Sequence, residues 1–218
     1  MRTLDRFLRQ SLSILILLLI SQGALCAATS LSLTGPATAR PGATVTLTLA
    51  IAGSTGEAYQ WQITPPGSGL TLTTAIAPGV STANKTLICS TDGTICILFS
   101  SSAPGATSTI PDGNLATVTL KIPAGTAPGS ITLPLSNMIG AAGVPAQPLP
   151  VTSGGVYSLK ILDPRDVNGD GVIDLSDVTA ITTQITTASC TTGDVNGDGK
   201  CDVVDVLGVV LKILGLVP

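Results

Sequence analysis

The chain has 218 residues and a formal net charge of −3, with 13 acidic and 10 basic side chains, no histidine, and aromatic residues at 2%. No basic stripe is present and there is hardly a ring to stack on a base, which excludes nucleic-acid binding; the missing histidine removes the commonest general base and metal-binding imidazole. Most of the acid lies near the C-terminus, so the mild negative balance reports a local cluster and not an acidic surface.

Arg2, Arg6 and Arg9 precede an apolar run from Leu12 to Ile20 that only Ser13 breaks, and small residues follow around Ala24–Ala28. This predicts a secretory signal peptide over residues 1–28, cleaved between Cys26 and Thr29. The run is short for a stable membrane span. Lipidation at Cys26 is the alternative, but Leu25 stands where a small residue belongs. The expected location is outside a bacterial cell, secreted or at the cell surface.

Residues 29–162 read as a β-sandwich. Val45, Leu47, Leu49 and Ile51 alternate with Thr46, Thr48 and Ala50. Tyr59, Trp61 and Ile63 alternate with Gln60 and Gln62, and Val118, Leu120 and Ile122 with Thr117, Thr119 and Lys121. Ile131, Leu133, Leu135 and then Tyr157, Leu159, Ile161 continue the period of two, the signature of a strand with one apolar face. Turns fall at Pro41-Gly42, Pro65-Pro66-Gly67, Pro78-Gly79, Pro111-Asp112-Gly113 and Pro128-Gly129. About 130 residues suffice for one core. Tyr59 and Trp61 share the Ile63 face, so they belong inside and not on a carbohydrate-binding platform.

Of the five cysteines, cleavage removes Cys26 and leaves an even number, as an oxidising compartment favours. Cys89 and Cys96 flank Thr91-Asp92-Gly93-Thr94, and a two-residue turn at Asp92-Gly93 would set them face to face. Cys190 and Cys201 bracket the start of a second acidic loop. Three pairings exist in principle; the local ones, Cys89–Cys96 and Cys190–Cys201, are expected.

Two such loops carry the chemistry. Asp166-Val167-Asn168-Gly169-Asp170-Gly171 opens the first and Asp194-Val195-Asn196-Gly197-Asp198-Gly199 the second, with Asp174 and Asp202 at position nine and Asp177 and Asp205 at position twelve. That is the ligand spacing of an EF-hand loop. Side chains at positions one, three, five and twelve converge with the backbone carbonyl at seven (Val172, Lys200), while position nine acts through a water. Gly171 and Gly199 supply the sharp turn. Two calcium ions are expected. Both loops close on Asp where the general motif has a bidentate Glu.

Each loop is followed by one helical pattern and preceded by none; Asp163-Pro164-Arg165 stands before the first. Leu175, Val178, Ile181 and Ile185 mark the expected core face of the first helix, and Val203, Val206, Val210 and Ile213 that of the second. A neighbouring stripe is polar in the first (Ser176, Thr179, Thr183, Thr186) and aliphatic in the second (Val204, Leu207, Leu211, Leu214). An aliphatic stripe left in water is an apolar patch that soluble proteins rarely keep without a use, so the second stripe is the expected partner-binding face.

Tandem D-V-N-G-D-G loops with Asp at twelve, each followed by a single helix, resemble a type I dockerin over about residues 164–216. The resemblance implies a calcium-folded module, here 163–218, that docks onto a cohesin domain of another protein. Residues 29–162 in turn resemble a cohesin domain in Pro41-Gly42-Ala43-Thr44-Val45, Tyr59-Gln60-Trp61-Gln62-Ile63, Ile95 to Phe99, Asp112-Gly113-Asn114-Leu115-Ala116, Ala127-Pro128-Gly129-Ser130 and Gly154-Gly155-Val156-Tyr157. That implies a nine-strand jelly-roll-like sandwich, mostly β, joined to a small α-helical tandem EF-hand-like unit. No nucleophile–base pair or carboxylate dyad is found, and Glu57 is the sole glutamate, so no enzyme activity is expected. The implied function is a secreted, non-catalytic adaptor, its sandwich either receiving another dockerin or binding an unknown ligand, within a polysaccharide-degrading assembly. The alternatives are a carbohydrate-binding sandwich on a dockerin-borne cargo protein, and a surface structural protein that uses calcium for stability.

Overall fold

The computed structural model describes residues 28–67, 69–81, 84–100 and 108–217. Apart from Ala28, the expected signal peptide lies outside the described residues, as does Cys26. Among the described residues no helix is long and apolar enough to cross a membrane.

Among the described residues, thirteen strand segments and three helices follow one another. They are β1 (Ser30–Thr34), β2 (Thr38–Ala39), β3 (Thr44–Ala52), β4 (Ala58–Ile63), β5 (Thr71–Ile76), α1 (Pro78–Ser81), β6 (Lys85–Cys89), β7 (Ile95–Ser100), β8 (Gly113–Lys121), β9 (Gly129–Leu133), β10 (Leu135–Ala142), β11 (Gln147–Pro150), β12 (Thr152–Ser153), β13 (Tyr157–Ile161), α2 (Leu175–Thr186) and α3 (Val203–Ile213). The excess over nine strands comes from short segments such as β2 and β12, which split off where the edge of a sheet is paired for only two residues.

One five-stranded sheet has the order β12-β1-β3-β8-β5 and the other β11-β10-β4-β7-β6; β2-β13-β9 forms a third, small sheet. The alternating residues decide which face is inside. Val45, Leu47, Leu49 and Ile51 of β3, Tyr59, Trp61 and Ile63 of β4, and Leu115, Val118 and Leu120 of β8 all enter one core. Burial of each such side chain contributes about 1.5–3 kcal/mol, so this alternation carries most of the fold's stability. The Tyr59 hydroxyl stays satisfied inside, accepting from the Gly56 amide at 2.8 Å and bonding Ser54 Oγ at 2.9 Å.

The Cys89–Cys96 hairpin differs in detail from expectation. Ser90 N donates to Ile95 O at 2.8 Å, so residues 91–94 form a four-residue loop and not a two-residue turn. Gly93 sits at φ +70° and donates to Ser90 O. Two residues on each strand restore the same facing pair, and Cys89 and Cys96 are disulfide-bonded.

The helical unit has its own small core of Val167, Ile181 and Val209, with Ile173, Val178, Val195 and Val206 packed against it. The expected core face needs correction. Leu175, Ile185, Val203 and Ile213 are exposed, and Val209, not Val210, is fully buried. The cause is the carboxylate at loop position twelve. Asp177 and Asp205 turn inward, and the stripe that follows them at helical spacing is Val178–Ile181 and Val206–Val209, rotated from the one that apolar periodicity alone selects.

Candidate calcium loops and docking faces

Each loop is drawn together by its own backbone. In the first, Asp166 accepts from Gly169 N at 2.8 Å and Gly171 N at 2.9 Å, Asn168 Oδ1 from Asp170 N at 2.9 Å, and Asp170 Oδ1 from Val172 N at 2.8 Å. Asp177 accepts from Asn168 N at 3.0 Å and Asp174 N at 2.9 Å. The second repeats the pattern: Asp194 accepts from Gly197 N and Gly199 N, Asn196 from Asp198 N, Asp198 from Lys200 N, and Asp205 from Asn196 N and Asp202 N. Gly171 and Gly199 stand at φ +92° and +85°, the left-handed region the sharp turn requires.

Asp174 and Asp202 have a second duty. Each is the N-cap of its helix, accepting from Ser176 N at 2.7 Å and Val204 N at 2.8 Å, while Asp177 and Asp205 return the capping box. A loop ligand set and a helix start are thus the same residues.

Among the described residues, no three Asp, Glu, Cys or His side chains converge into a ready-made metal cluster. The carboxylates instead point at backbone N–H groups; Asp194 Oδ1 and Asp205 Oδ1 accept two amides each, and Asp194 Oδ2, Asp205 Oδ2 and the Asp166 and Asp177 oxygens accept one. The donor chemistry nevertheless fits a hard cation: every side-chain donor is oxygen. Burial gives the independent test. Asp177 and Asp205 are 0% and 1% exposed. Neither forms an ion pair among the described residues, where the salt bridge found is Arg165–Asp163. A carboxylate buried with no direct ion pair is costly, and a divalent ion offsets that cost.

Sequence reasoning missed two residues that shape this unit. Gln184 Oε1 accepts from three successive amides, Thr191, Thr192 and Gly193, at 2.9, 3.0 and 2.9 Å, and so folds the segment ahead of the second loop. The disulfide Cys190–Cys201 closes over the same segment. Arg40, on the sandwich, donates to the carbonyls of Pro164, Asp166 and Val167. Burial pulls the Arg40 guanidinium below the usual arginine value, against the opposing pull of Asp166 and Asp177. The available signal was scarcity: Arg40 is the one arginine between residues 10 and 164.

Two apolar surfaces stay in solvent. On α3, Val204 and Leu207 are 52% and 53% exposed and Leu211 is half-buried, and Leu214 at its C-cap is 64% exposed. The matching residues of α2, Ser176, Thr179, Thr183 and Thr186, are all exposed. They are less polar than their sequence suggests. Thr179, Thr183 and Thr186 spend their hydroxyls on carbonyls of their own helix at 2.9–3.0 Å, which leaves methyl groups outward. The second surface is the outer face of the β11-β10-β4-β7-β6 sheet, where Ile139, Ile97, Ile95 and Ile88 are exposed across strands β10, β7 and β6. A cavity of about 320 Å³ opens there between Gln60, Ile97, Ile139 and Pro148. The run Ile95-Cys96-Ile97-Leu98 has no polar–apolar contrast, so its outward half carried no mark in the sequence.

The family model of the cohesin domain matches residues 29–156, and that of the dockerin type I domain residues 164–214. Among solved structures, the sixth cohesin of scaffoldin B from Acetivibrio cellulolyticus, in complex with a dockerin, is similar at TM-score 0.50 and 15% identity, covering 62% of this chain and 99% of that one. The third ScaB cohesin of R. flavefaciens, in complex with a group 1 dockerin, is similar at TM-score 0.51 and 14% identity, covering 63% and 97%. At such identity these two establish the sandwich fold alone. No curated protein matches the chain significantly. Cohesin and dockerin are non-catalytic interaction modules, and the type I dockerin is a calcium-binding one. The chain belongs to the cohesin domain family and carries a type I dockerin domain behind its sandwich.

Proposed function

We propose that the protein is a secreted, non-catalytic adaptor in two units, a sandwich over residues 29–162 and a docking module over 163–218. The module binds two calcium ions, one through Asp166, Asn168, Asp170, Asp174 and Asp177 with the Val172 carbonyl. The other is bound through Asp194, Asn196, Asp198, Asp202 and Asp205 with the Lys200 carbonyl. Calcium neutralises the inward carboxylates, and its binding energy becomes folding energy for the module. So loaded, the module docks onto the cohesin of a partner protein. The sandwich offers its own exposed sheet face to a further dockerin.

The observation that carries this proposal is the aliphatic face of α3 left in water, with Val204, Leu207 and Leu214 each more than half exposed. Covering such a face gains about 25 cal/mol per Å². A glycan-gripping sandwich is less favoured. That role needs exposed rings, and Tyr59, Trp61 and Tyr157 are buried. Secretion is supported by the two disulfides, which fit an oxidising compartment. Calorimetry of the chain lacking residues 1–28 against a panel of cohesin domains tests the proposal. One-to-one binding in calcium, abolished by chelator, is expected; binding that ignores the chelator contradicts it.

A further inference from the structure

One side chain hydrogen-bonds across the join between sandwich and docking module. Arg40 follows β2, and β2 runs parallel to β13, the last strand of the sandwich, through Thr38–Lys160 and Ala39–Ile161. Leu162 N continues the ladder by donating to Ala39 O at 2.9 Å. Arg40 therefore leaves the sandwich beside the segment that leads into the first calcium loop. Its guanidinium crosses to that loop: Nη1 donates to Pro164 O at 3.4 Å, and Nη2 to Asp166 O and to Val167 O, the latter at 2.9 Å. Val167 O also accepts from Thr192 Oγ1 at 3.1 Å, ahead of the second loop. One carbonyl thus ties together the sandwich, the first loop and the second repeat.

The placement has an electrostatic consequence. The Arg40 charge acts on Asp166 and Asp177, the first and twelfth residues of the first loop. Among the described residues its hydrogen bonds fall on the first repeat, while beside Asp194, Asn196 and Gly199 of the second loop it lines a shared cleft. The loops share most of their hydrogen bonding, and a half-buried cation bonded to the carbonyls of the first makes them unequal; the second carries Lys200 at position seven, exposed and open to screening. A guanidinium beside a loop repels an arriving dication, and the repulsion survives screening because the group is half-buried.

We propose that Arg40 is a positioning residue that latches the docking module to the sandwich at a fixed angle and makes the first calcium loop the weaker of the two. The latch uses the planar fork of arginine, which reaches three carbonyls at once, as a lysine ammonium on its single stem does not. A fixed angle between the α3 face and the sheet face lowers the ordering cost when partners engage both. The unequal loops rest on the calcium assignment above; the latch does not.

The full chain without residues 1–28 is compared with Arg40→Met and Arg40→Lys, using calcium alone as titrant and backbone ¹⁵N relaxation to measure tumbling. The unaltered protein is expected to tumble as one body and to show two calcium affinities. Arg40→Met should give two separately tumbling units and tighten the weaker site by roughly three- to tenfold. Arg40→Lys, which keeps the charge and loses the fork, should loosen the units while changing the weaker site less than twofold. Single-body tumbling in both variants overturns the latch. An unchanged weaker site in Arg40→Met overturns the electrostatic half. Should Arg40→Met not fold, Arg40→Lys alone decides the latch, and the calcium sites of Asp205→Asn and Asp177→Asn, each retaining one loop, decide which is weaker. Absence of any calcium heat in the unaltered protein instead refutes the calcium assignment, and tumbling still reads the latch.

Discussion

A few residues in the docking module do work that only their surroundings explain. Gln184 holds three consecutive amides with one oxygen, so Gln184→Ala leaves those donors without their partner. The expected loss is about 1–3 kcal/mol of module stability, read from chemical denaturation in calcium, with Gln184→Glu keeping part of it because the acceptor remains. Ala188 follows α2 at φ +51°, a conformation that crowds its Cβ. Ala188→Gly should raise stability by about 0.5–1 kcal/mol in the same assay. How much the sequence tells depends on how far apart the interacting residues lie. The loop ligands declared themselves because their spacing fits within twelve positions of one loop. Gln184 acts seven to nine residues away across a turn that no periodicity describes. Arg40 reaches partners 124 to 127 residues along the chain, where local pattern has nothing to report.

At the level of the helices, two segments of matching layout present different faces. α3 exposes side-chain carbons of Val204, Leu207 and Leu214, while α2 exposes the smaller methyls of back-bonded threonines. Val204→Ser with Leu207→Ser should weaken binding of a cohesin at least a hundredfold, since several kcal/mol of apolar burial are lost, and leave calcium-dependent helical circular dichroism intact. Thr179→Val with Thr183→Val should change that affinity less than twofold. Leu211 is half-buried and is a poorer probe than the stripe pattern implied, because its substitution mixes docking with packing. The stripes were legible because side chains three and four apart share a helix face. The core stripe was displaced for a reason hydrophobicity cannot encode: Asp177 and Asp205 occupy the inside, and the helices rotate to let them.

Over the whole molecule, the sandwich stands on an apolar core while the docking module, with three fully buried apolar side chains, is too small to do so. In the proposed function calcium supplies the difference; one site filled at 1,000 times its dissociation constant adds about 4 kcal/mol. Chelator should therefore unfold residues 163–218, seen as lost helical circular dichroism, and leave the near-ultraviolet signal of the buried Trp61 unchanged. The sandwich was legible from strand alternation, but its outward isoleucines were not, since an all-apolar strand hides which side faces water. Methyl cross-saturation in a calcium-loaded complex of the full chain with a bound cohesin tests the docking mode most directly. Saturation should pass from the cohesin to the methyls of Val204, Leu207 and Leu214, and only weakly to those of Thr179 and Thr183. Transfer centred on the α2 threonines, or transfer that bypasses both helices, would contradict docking through α3.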